Sequence, residues 1–269
     1  MTSMRGLSIA IAGSLVVVAS IGPRKAQAQN IASRVAAVRE GKVRLSFAAR
    51  PDVCGTGNSI RRGPNQNFNW SSSDYNPDVE YDVECSHDPV RLVLTVDDGR
   101  VTKVRTYVGG RWRPASSGVT DLGTVSVRAA TDYLLGLAAT AEGAAGRDAI
   151  LPATLADSVV VWPPLLRIAR DEQRPSSTRK QALFWLGQAA GEKITGGISS
   201  IADDEDVNIE VKKQAVFALS QRRNGEAVPA LIQVARNNRH PEVRKTALFW
   251  LGQTTDQRAV ALFEEILTR

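Results

Sequence analysis

Apolar and polar residues alternate along the first half of the chain, from about residue 42 to residue 113. Val43, Leu45 and Phe47 are separated by single polar residues, and a second alternating run extends from Val90 to Val108. Alternation of this kind is typical of strands that bury one face and expose the other. The pattern therefore predicts a small antiparallel β-domain over residues 40–115.

The second alternating run is interrupted by Asp97-Asp98-Gly99, a sequence typical of a hairpin turn. A three-residue loop places Leu92 opposite Val104, whereas a two-residue turn at Asp98-Gly99 places Leu92 opposite Arg105. Because leucine opposite valine is the better pair for a buried face, we predict the three-residue loop, with Gly99 in the left-handed conformation. The aspartates are interpreted as turn formers rather than as paired catalytic carboxylates.

The apolar period changes to 3.6 residues near Ser126, which is a plausible N-cap for a helix. Residues 125–157 are predicted to form connecting helices, with a break at Gly143 to Gly146. From residue 161 to residue 269 the pattern is helical throughout, with short polar joints. The chain therefore changes from a β-rich part to an α-helical part, which indicates the α+β class.

The helical part contains an internal repeat. The heptapeptide from Ala182 to Gln188 recurs unchanged from Ala247 to Gln253, and a related sequence lies midway between them, from Ala215 to Gln221. A regular period of about 32 residues is the signature of stacked structural repeats. We predict about three repeats over residues 161–269, each made of a helix A, a polar turn and a helix B, with a terminal helix near residues 256–267.

The residues from His240 to Gly252 resemble the second helix of a bacterial HEAT repeat, of the short type related to phycobilisome-lyase repeats. The chain departs from that pattern at Trp185 and Trp250, where the family has a small residue. With residues 47–55 ahead of the helices, the whole chain resembles secreted bacterial proteins that contain HEAT repeats. The resemblance implies an α/α superhelix, or solenoid, that serves mainly to bind other proteins.

On each predicted B helix a lysine, a phenylalanine and a glutamine follow one another at intervals of four residues. The lysine and the phenylalanine lie on the side opposite the core stripe, and the glutamine lies along the border of that surface. We call these nine residues the Lys–Phe–Gln ladder: Lys180, Phe184 and Gln188; Lys213, Phe217 and Gln221; Lys245, Phe249 and Gln253. Our hypothesis is that the ladder lies on the concave face of the solenoid and binds a protein partner. The alternative is that the phenylalanines pack between neighbouring B helices and the lysines are merely solvated.

A second row of basic residues, Arg179, Lys212 and Arg244, occupies equivalent positions in the three B helices. We interpret these residues as partners for acidic residues of neighbouring repeats rather than as ligand contacts.

The N-terminal segment, residues 1–28, has the pattern of a signal peptide. Arg5 precedes an apolar run from Leu7 to Ile21, and Ala26-Gln27-Ala28 offers small residues for cleavage before Gln29. The apolar run holds 15 residues, fewer than the ~20 that span a bilayer. We therefore predict a periplasmic or secreted protein with no stable membrane insertion after cleavage, rather than one held by an uncleaved anchor.

Export changes how the charge of the chain is interpreted. The net charge is +6, and the leader contributes three of these positive charges, from Arg5, Arg24 and Lys25, so the mature chain carries +3. Proteins that bind nucleic acid usually concentrate much more basic charge on one face. We therefore expect protein partners and no nucleic acid.

Cys54 and Cys85 are the two cysteines of the chain. In an oxidising compartment they are predicted to form a disulfide that staples the ends of a long loop rich in Asn, Ser, Gly and Pro, residues 52–77. A metal or redox pair is the alternative, but neither a CxxC spacing nor a cluster of histidines accompanies the cysteines.

Candidate catalytic groups are scarce. The chain has two histidines, His87 and His240, and no nucleophile triad, metal-ligand spacing or glycine-rich phosphate loop can be assembled around either. We therefore predict no enzyme activity, no metal and no cofactor. The favoured function is an exported scaffold that binds a protein. The first alternative is a permanent structural or regulatory subunit of a cell-envelope complex, and the remote alternative is a lyase-like enzyme, which fold likeness alone suggests.

Overall fold

The computed structural model describes residues 23–57, 59–62, 66–69, 85–87, 89–189, 192–222 and 225–268. The strands are β1 (Glu40–Phe47), β2 (Val53–Gly55), β3 (Ser59–Arg62), β4 (Gln66–Asn69), β5 (Val90–Asp97), β6 (Arg100–Val108) and β7 (Val119–Thr124). The helices before the repeats are α1 (Pro23–Ala36), α2 (Val127–Thr140), α3 (Gly143–Asp148) and α4 (Ile150–Leu155). The later helices are α5 (Trp162–Arg170), α6 (Ser176–Gly187), α7 (Glu192–Asp203), α8 (Ile209–Ser220), α9 (Val228–Asn237), α10 (Pro241–Leu251) and α11 (Gln257–Leu267). The layout is α+β, as predicted.

The larger sheet has four strands in the order β6-β5-β1-β7. Strand β1 pairs antiparallel with β5 but parallel with β7, so the sheet is mixed and the predicted purely antiparallel sheet is wrong. The cause is the segment 109–118, which leads the chain from β6 at one edge of the sheet to β7 at the other. Because β7 begins at Val119, the sheet also extends beyond residue 115.

The hairpin turn differs from the prediction. Asp97 pairs with Arg100, so the loop contains only Asp98 and Gly99, both with positive φ, at 46° and 72°. A bulge after Thr95 then shifts the register by one residue, which places Leu94 opposite Val104 and Leu92 opposite Thr106. The bulge places Val104 opposite Leu94 on the buried face, whereas the predicted three-residue loop placed it opposite Leu92.

The described residues of the segment that was predicted to be a long loop include a second sheet. Strands β2, β3 and β4 pair in sequence order through two antiparallel ladders, where a loop over residues 52–77 was expected. The disulfide prediction is confirmed, since Cys54 and Cys85 are bonded, with their Cα atoms 5.3 Å apart. An antiparallel bridge between Gly55 and Ser86 lies beside the disulfide.

The inner face of the larger sheet packs against helices. Strand β5 alternates buried Val90, Leu92, Leu94 and Val96 with less buried residues, and the buried set belongs to one continuous core with helices α1, α2 and α4. Ser126 caps α2, as predicted, because its hydroxyl accepts a hydrogen bond from the Ala129 amide at 3.2 Å. The helices cover one face of the sheet, so the opposite face is left for other contacts.

Helix α1 begins at Pro23, ahead of the predicted cleavage site before Gln29, and residues 1–22 lie outside the described residues. Ile31 and Val35, which follow that site, are buried in the common core. Cleavage at the predicted position would keep both core residues in the mature chain. Among the described residues no helix combines the length and the apolar character needed to cross a bilayer.

The C-terminal helices alternate between A and B positions, as the repeat predicts. Helices α5, α7 and α9 are the A helices, α6, α8 and α10 are the B helices, and α11 is the terminal helix. The shared heptapeptide supplies core residues at matching positions, with Ala182, Ala215 and Ala247 all fully buried. Asp256 caps α11 by accepting a hydrogen bond from the Arg258 amide, which fixes the start of the terminal helix.

The row formed by Arg179, Lys212 and Arg244 binds backbone carbonyls rather than acidic residues of neighbouring repeats. Arg179 donates to the Ala169 carbonyl at 2.9 Å, Lys212 to that of Glu205 at 3.5 Å, and Arg244 to that of Asn238 at 2.7 Å. Each acceptor lies at the C-terminal end of the preceding A helix or in the turn that follows it. Carbonyls there lack amide donors and carry partial negative charge, so a cation is a suitable partner.

Candidate functional site

The three phenylalanines of the Lys–Phe–Gln ladder differ in exposure. Phe184 is half-buried and packs against the core, and Phe217 is also half-buried. Phe249 is 58% exposed, which makes it one of the most exposed large apolar side chains of the described residues. The exposed aromatic side chain of the ladder therefore lies in the third repeat.

Trp250 joins the surface that these phenylalanines form. Its ring centroid lies 5.2 Å from that of Phe217 on the preceding B helix and 5.1 Å from that of Phe249 beside it. Trp250 is half-buried, whereas its repeat equivalent Trp185 is only 2% exposed. Helical angles place both tryptophans on the core stripe of their B helices, which the structure bears out for Trp185 but only in part for Trp250. We call Phe217, Phe249 and Trp250 the aromatic cluster.

The packing of Phe217 on Trp250 matches the alternative in which ladder phenylalanines fill space between neighbouring B helices. Phe249 has no described B helix beyond it and remains exposed. A difference of position within the stack, rather than of residue type, accounts for the difference in exposure between these two phenylalanines.

The lysines of the ladder lie beside the aromatic residues. Lys213 is half-buried and forms an ion pair with Glu210 one turn earlier on α8, at 3.1 Å. Lys245 is exposed, and Lys180 is half-buried. Near the aromatic cluster the ladder thus offers Lys245 as a cation that can turn toward a bound partner, while Lys213 is partly neutralised.

The glutamines of the ladder also differ in exposure. Gln188 is half-buried, whereas Gln221 and Gln253 are exposed. The side-chain amide of Gln221 donates to the Ser220 hydroxyl at 3.2 Å. The second and third repeats therefore present both aromatic and amide groups to solvent, which is the combination of apolar anchor and polar rim found at protein-binding surfaces.

The histidines are far apart in the fold. His87 lies beside β2, where its Nδ1 is 3.1 Å from the Val53 carbonyl oxygen, and His240 is the N-cap of α10. In the described part of the chain, no group of three or more His, Cys, Asp or Glu residues is arranged to hold a metal ion.

Comparison with known proteins agrees with the arrangement of paired helices. Residues 197–269 match the HEAT repeats family. A stretch of 98 residues is 34% identical to deoxyhypusine hydroxylase-B from Oryza sativa subsp. japonica. That match covers 36% of this chain and 32% of the relative, so the chain spans about a third of the length of the relative.

The family match begins within α7 and includes α8, α9, α10 and α11, the same helices that carry the aromatic cluster. The internal repeat, the alternation of A and B helices and the family match all indicate the same architecture. Residues 197–269 are therefore similar to HEAT repeats, and the C-terminal helices form a helical repeat region.

Proposed function

We propose that this protein is an exported, non-catalytic scaffold that binds a protein partner through the B-helix face of its HEAT repeats. The observation that carries the proposal is the aromatic cluster, in which Phe249 is 58% exposed beside a half-buried tryptophan. Ring contacts already restrict this large apolar side chain, so it loses little conformational entropy when a partner covers it. It is therefore a suitable anchor for a partner.

The surroundings of the cluster also suit a protein partner. Lys245, Gln221 and Gln253 are exposed around the aromatic residues and can hydrogen-bond to a peptide backbone or to acidic side chains. An amphipathic helix or an extended segment with one large apolar residue and nearby carboxylates would match this surface.

The relative named as a hydroxylase raises catalysis as a second function. Its likeness to this chain covers 32% of that relative, and an activity of the whole relative does not follow from a shared repeat. The proposal of a non-catalytic scaffold is supported by the placement of His87 and His240 in different parts of the fold, away from a shared cleft.

The test is affinity capture from cell-envelope extract with the mature chain as bait. Wild type is compared with Phe249→Ala and with the control Val160→Ala. Val160 is an apolar side chain outside the B helices that is 68% exposed, similar to Phe249. We expect Phe249→Ala to lose a specific partner that wild type and Val160→Ala retain. Both side chains are exposed, so circular dichroism should show all three proteins folded.

Capture of the same partner by all three proteins would overturn the assignment of the site to the aromatic cluster. If the captured partner stays bound through gel filtration at low concentration, the complex is permanent, and the alternative of an envelope subunit is favoured over a transient adaptor.

A further inference from the structure

The outer face of the four-stranded sheet carries a cleft of about 640 Å³. Strands β1, β5 and β6 form its floor, and the segment 109–118 forms a wall as it crosses from β6 to β7. We call it the cationic cleft, because six of its lining residues are basic: Lys42, Arg44, Arg91, Arg105, Arg111 and Arg113. Among the described residues that line the cleft, none is an aspartate or a glutamate.

The alternation of the strands places these cations on one face. Arg44 lies opposite Val93, and Val93 lies opposite Arg105 on the next strand, so all three side chains leave the sheet on the same side. Arg91 and Tyr107 form the neighbouring pair. The helices cover the other face of the sheet, so the cationic face stays in contact with solvent.

The wall of the cleft is held by specific contacts. Arg44 donates to the Asp121 carboxylate at 2.7 Å and to the Arg113 carbonyl at 2.8 Å. The guanidinium of Arg44 also lies 5.2 Å from the centre of the Trp112 ring, a distance typical of a cation–π contact. These contacts fix the crossing segment before any ligand arrives, which lowers the entropy cost of binding.

Gly109 anchors the beginning of the same segment. Its φ is +73°, and a Cβ at this position would lie 2.3 Å from the Gly55 carbonyl oxygen of β2. The Gly109 carbonyl accepts a hydrogen bond from Arg91 at 3.1 Å. This side of the cleft is therefore held by Arg91 of the larger sheet and packs closely against β2 of the smaller sheet.

Four of the six cations have no counter-charge in the part of the chain that the structure describes. Within the described residues, Lys42, Arg105, Arg111 and Arg113 form no ion pair and donate no side-chain hydrogen bond. All four are exposed around the cleft. Positive charges that converge on one cleft repel each other and attract anions. The walls of the cleft concentrate the electrostatic field of these charges.

We propose that the cationic cleft is a binding site for a small anion that carries two or more phosphate groups. Arginine guanidinium groups match phosphate oxygens in pairs, and several arginines around one cleft can each bind a different phosphate group. The volume of about 640 Å³ lies within the range of about 300–1,000 Å³ that is typical of small-molecule sites. The wall at residues 109–118 favours a compact ligand over an extended polymer.

The test is isothermal titration calorimetry of the mature chain with inorganic pyrophosphate at low ionic strength. We expect saturable binding that weakens as salt is added, because the contacts are exposed and screened. The variant Arg105→Gln/Arg111→Gln should bind about tenfold more weakly or worse, because two charge-assisted hydrogen bonds are lost. Lys42→Gln, on the opposite side of the cleft, should also weaken binding.

The matched control is Arg128→Gln/Lys193→Gln, which removes the same charge from two exposed positions outside the cleft. The control should bind pyrophosphate as wild type does. Equal weakening in both double variants would overturn the proposal, because it would show an effect of net charge alone. A wild type without saturable pyrophosphate binding would overturn a site for a free anion and leave only the lipid headgroup, which is tested next.

The phosphate groups can come from a free molecule or from a lipid headgroup. Sedimentation with vesicles that contain cardiolipin, a lipid whose headgroup carries two phosphate groups, separates the two sources. Binding to vesicles that is lost in Arg105→Gln/Arg111→Gln and kept in the control assigns the cleft to headgroups, whereas pyrophosphate binding without vesicle binding assigns it to a free anion. Absence of both overturns the site.

Discussion

Arg222 is the residue that ties the first two repeats together most directly. Its side chain is only 1% exposed, and its guanidinium donates to the carbonyls of Leu186, in the last turn of the first B helix, and of Ala189, just after that helix. It also donates to the Thr195 hydroxyl at 3.0 Å and to the Glu226 carboxylate at 2.9 Å. One buried cation thus satisfies helix-end carbonyls that would otherwise lack donors.

We predict that Arg222→Ala lowers the free energy of unfolding by about 3 kcal/mol, because it removes a buried, hydrogen-bonded cation and leaves its acceptors unpaired. The measurement is urea denaturation followed by circular dichroism. Arg258→Ala serves as the control, since Arg258 also donates to a neighbouring backbone, at Gly225, but is exposed. A loss in the control as large as that in Arg222→Ala would contradict the role of burial.

Glu226 gives this junction a dependence on pH. Hydrogen bonds from Arg222 and then Thr195 hold the pKa of Glu226 below its ordinary value of 4.5. A carboxylate whose folded pKa is depressed stabilises the fold above its unfolded pKa, and this contribution is lost as pH falls through the folded value. We predict that wild type loses more stability than Glu226→Gln between neutral pH and pH values below 4.5. Parallel pH profiles of the two proteins would contradict this assignment.

At the scale of the elements, close packing between B helices depends on a glycine. Gly187 ends α6 beside α8, and a Cβ there would lie 2.8 Å from the Ala218 carbonyl oxygen and 3.0 Å from the Ala218 Cα. Backbone atoms cannot move aside as a flexible side chain can, so the two helices would have to separate.

We predict that Gly187→Ala lowers the free energy of unfolding by about 2 kcal/mol, because it forces α6 and α8 apart. Gly196→Ala is the matched control, since Gly196 lies in α7 and its added Cβ would meet no atom within 4 Å. The control should be neutral or stabilise the protein by up to about 1 kcal/mol through its higher helix propensity. Urea denaturation of both variants measures the difference, and equal effects would contradict the packing argument.

The repeat could be predicted from sequence because its period is long and its core residues recur in phase. The smaller sheet could not be predicted, because β2, β3 and β4 are only three or four residues long and carry too few alternating positions to reveal a period. The hairpin was predicted with the wrong loop because a bulge changes the register without changing the pattern of apolar residues. The parallel pairing of β7 depends on where the segment 109–118 crosses, which no local pattern encodes.

The candidate sites, too, could be predicted from the sequence only in part. Helical angles placed Phe249 on the face opposite the core, and it is exposed. The same angles placed Trp250 in the core, where it is only half-buried, because exposure depends on which helix follows in the stack. The basic residues of the cationic cleft were visible in the sequence, but the small net charge of the chain concealed them. Alternation along β1, β5 and β6 was the signal that could have revealed them.

At the scale of the whole molecule, the two candidate binding surfaces lie on different parts of the fold, although one continuous core underlies both parts. The aromatic cluster lies on α8 and α10, and the cationic cleft lies on the larger sheet. No described lining residue of the cleft belongs to a repeat helix. The two surfaces are therefore expected to bind separate ligands.

We predict that the two activities can be lost independently. Phe249→Ala should retain the pyrophosphate affinity of wild type, and Arg105→Gln/Arg111→Gln should retain the protein partner captured by wild type. Titration and affinity capture with both variants measure this. If either variant loses both activities while its circular dichroism is unchanged, the two surfaces act as one site.

The most direct test of the scaffold function is photo-crosslinking from the exposed end of the ladder. Phe249→benzoylphenylalanine keeps an aromatic side chain in place and reacts only with groups that it touches, and Val160→benzoylphenylalanine provides a position of similar exposure outside the B helices. We predict that irradiation in envelope extract gives one discrete protein adduct from position 249 and none from position 160. The same adducts from both positions, or a captured partner that never crosslinks to position 249, would contradict the aromatic cluster as the binding surface.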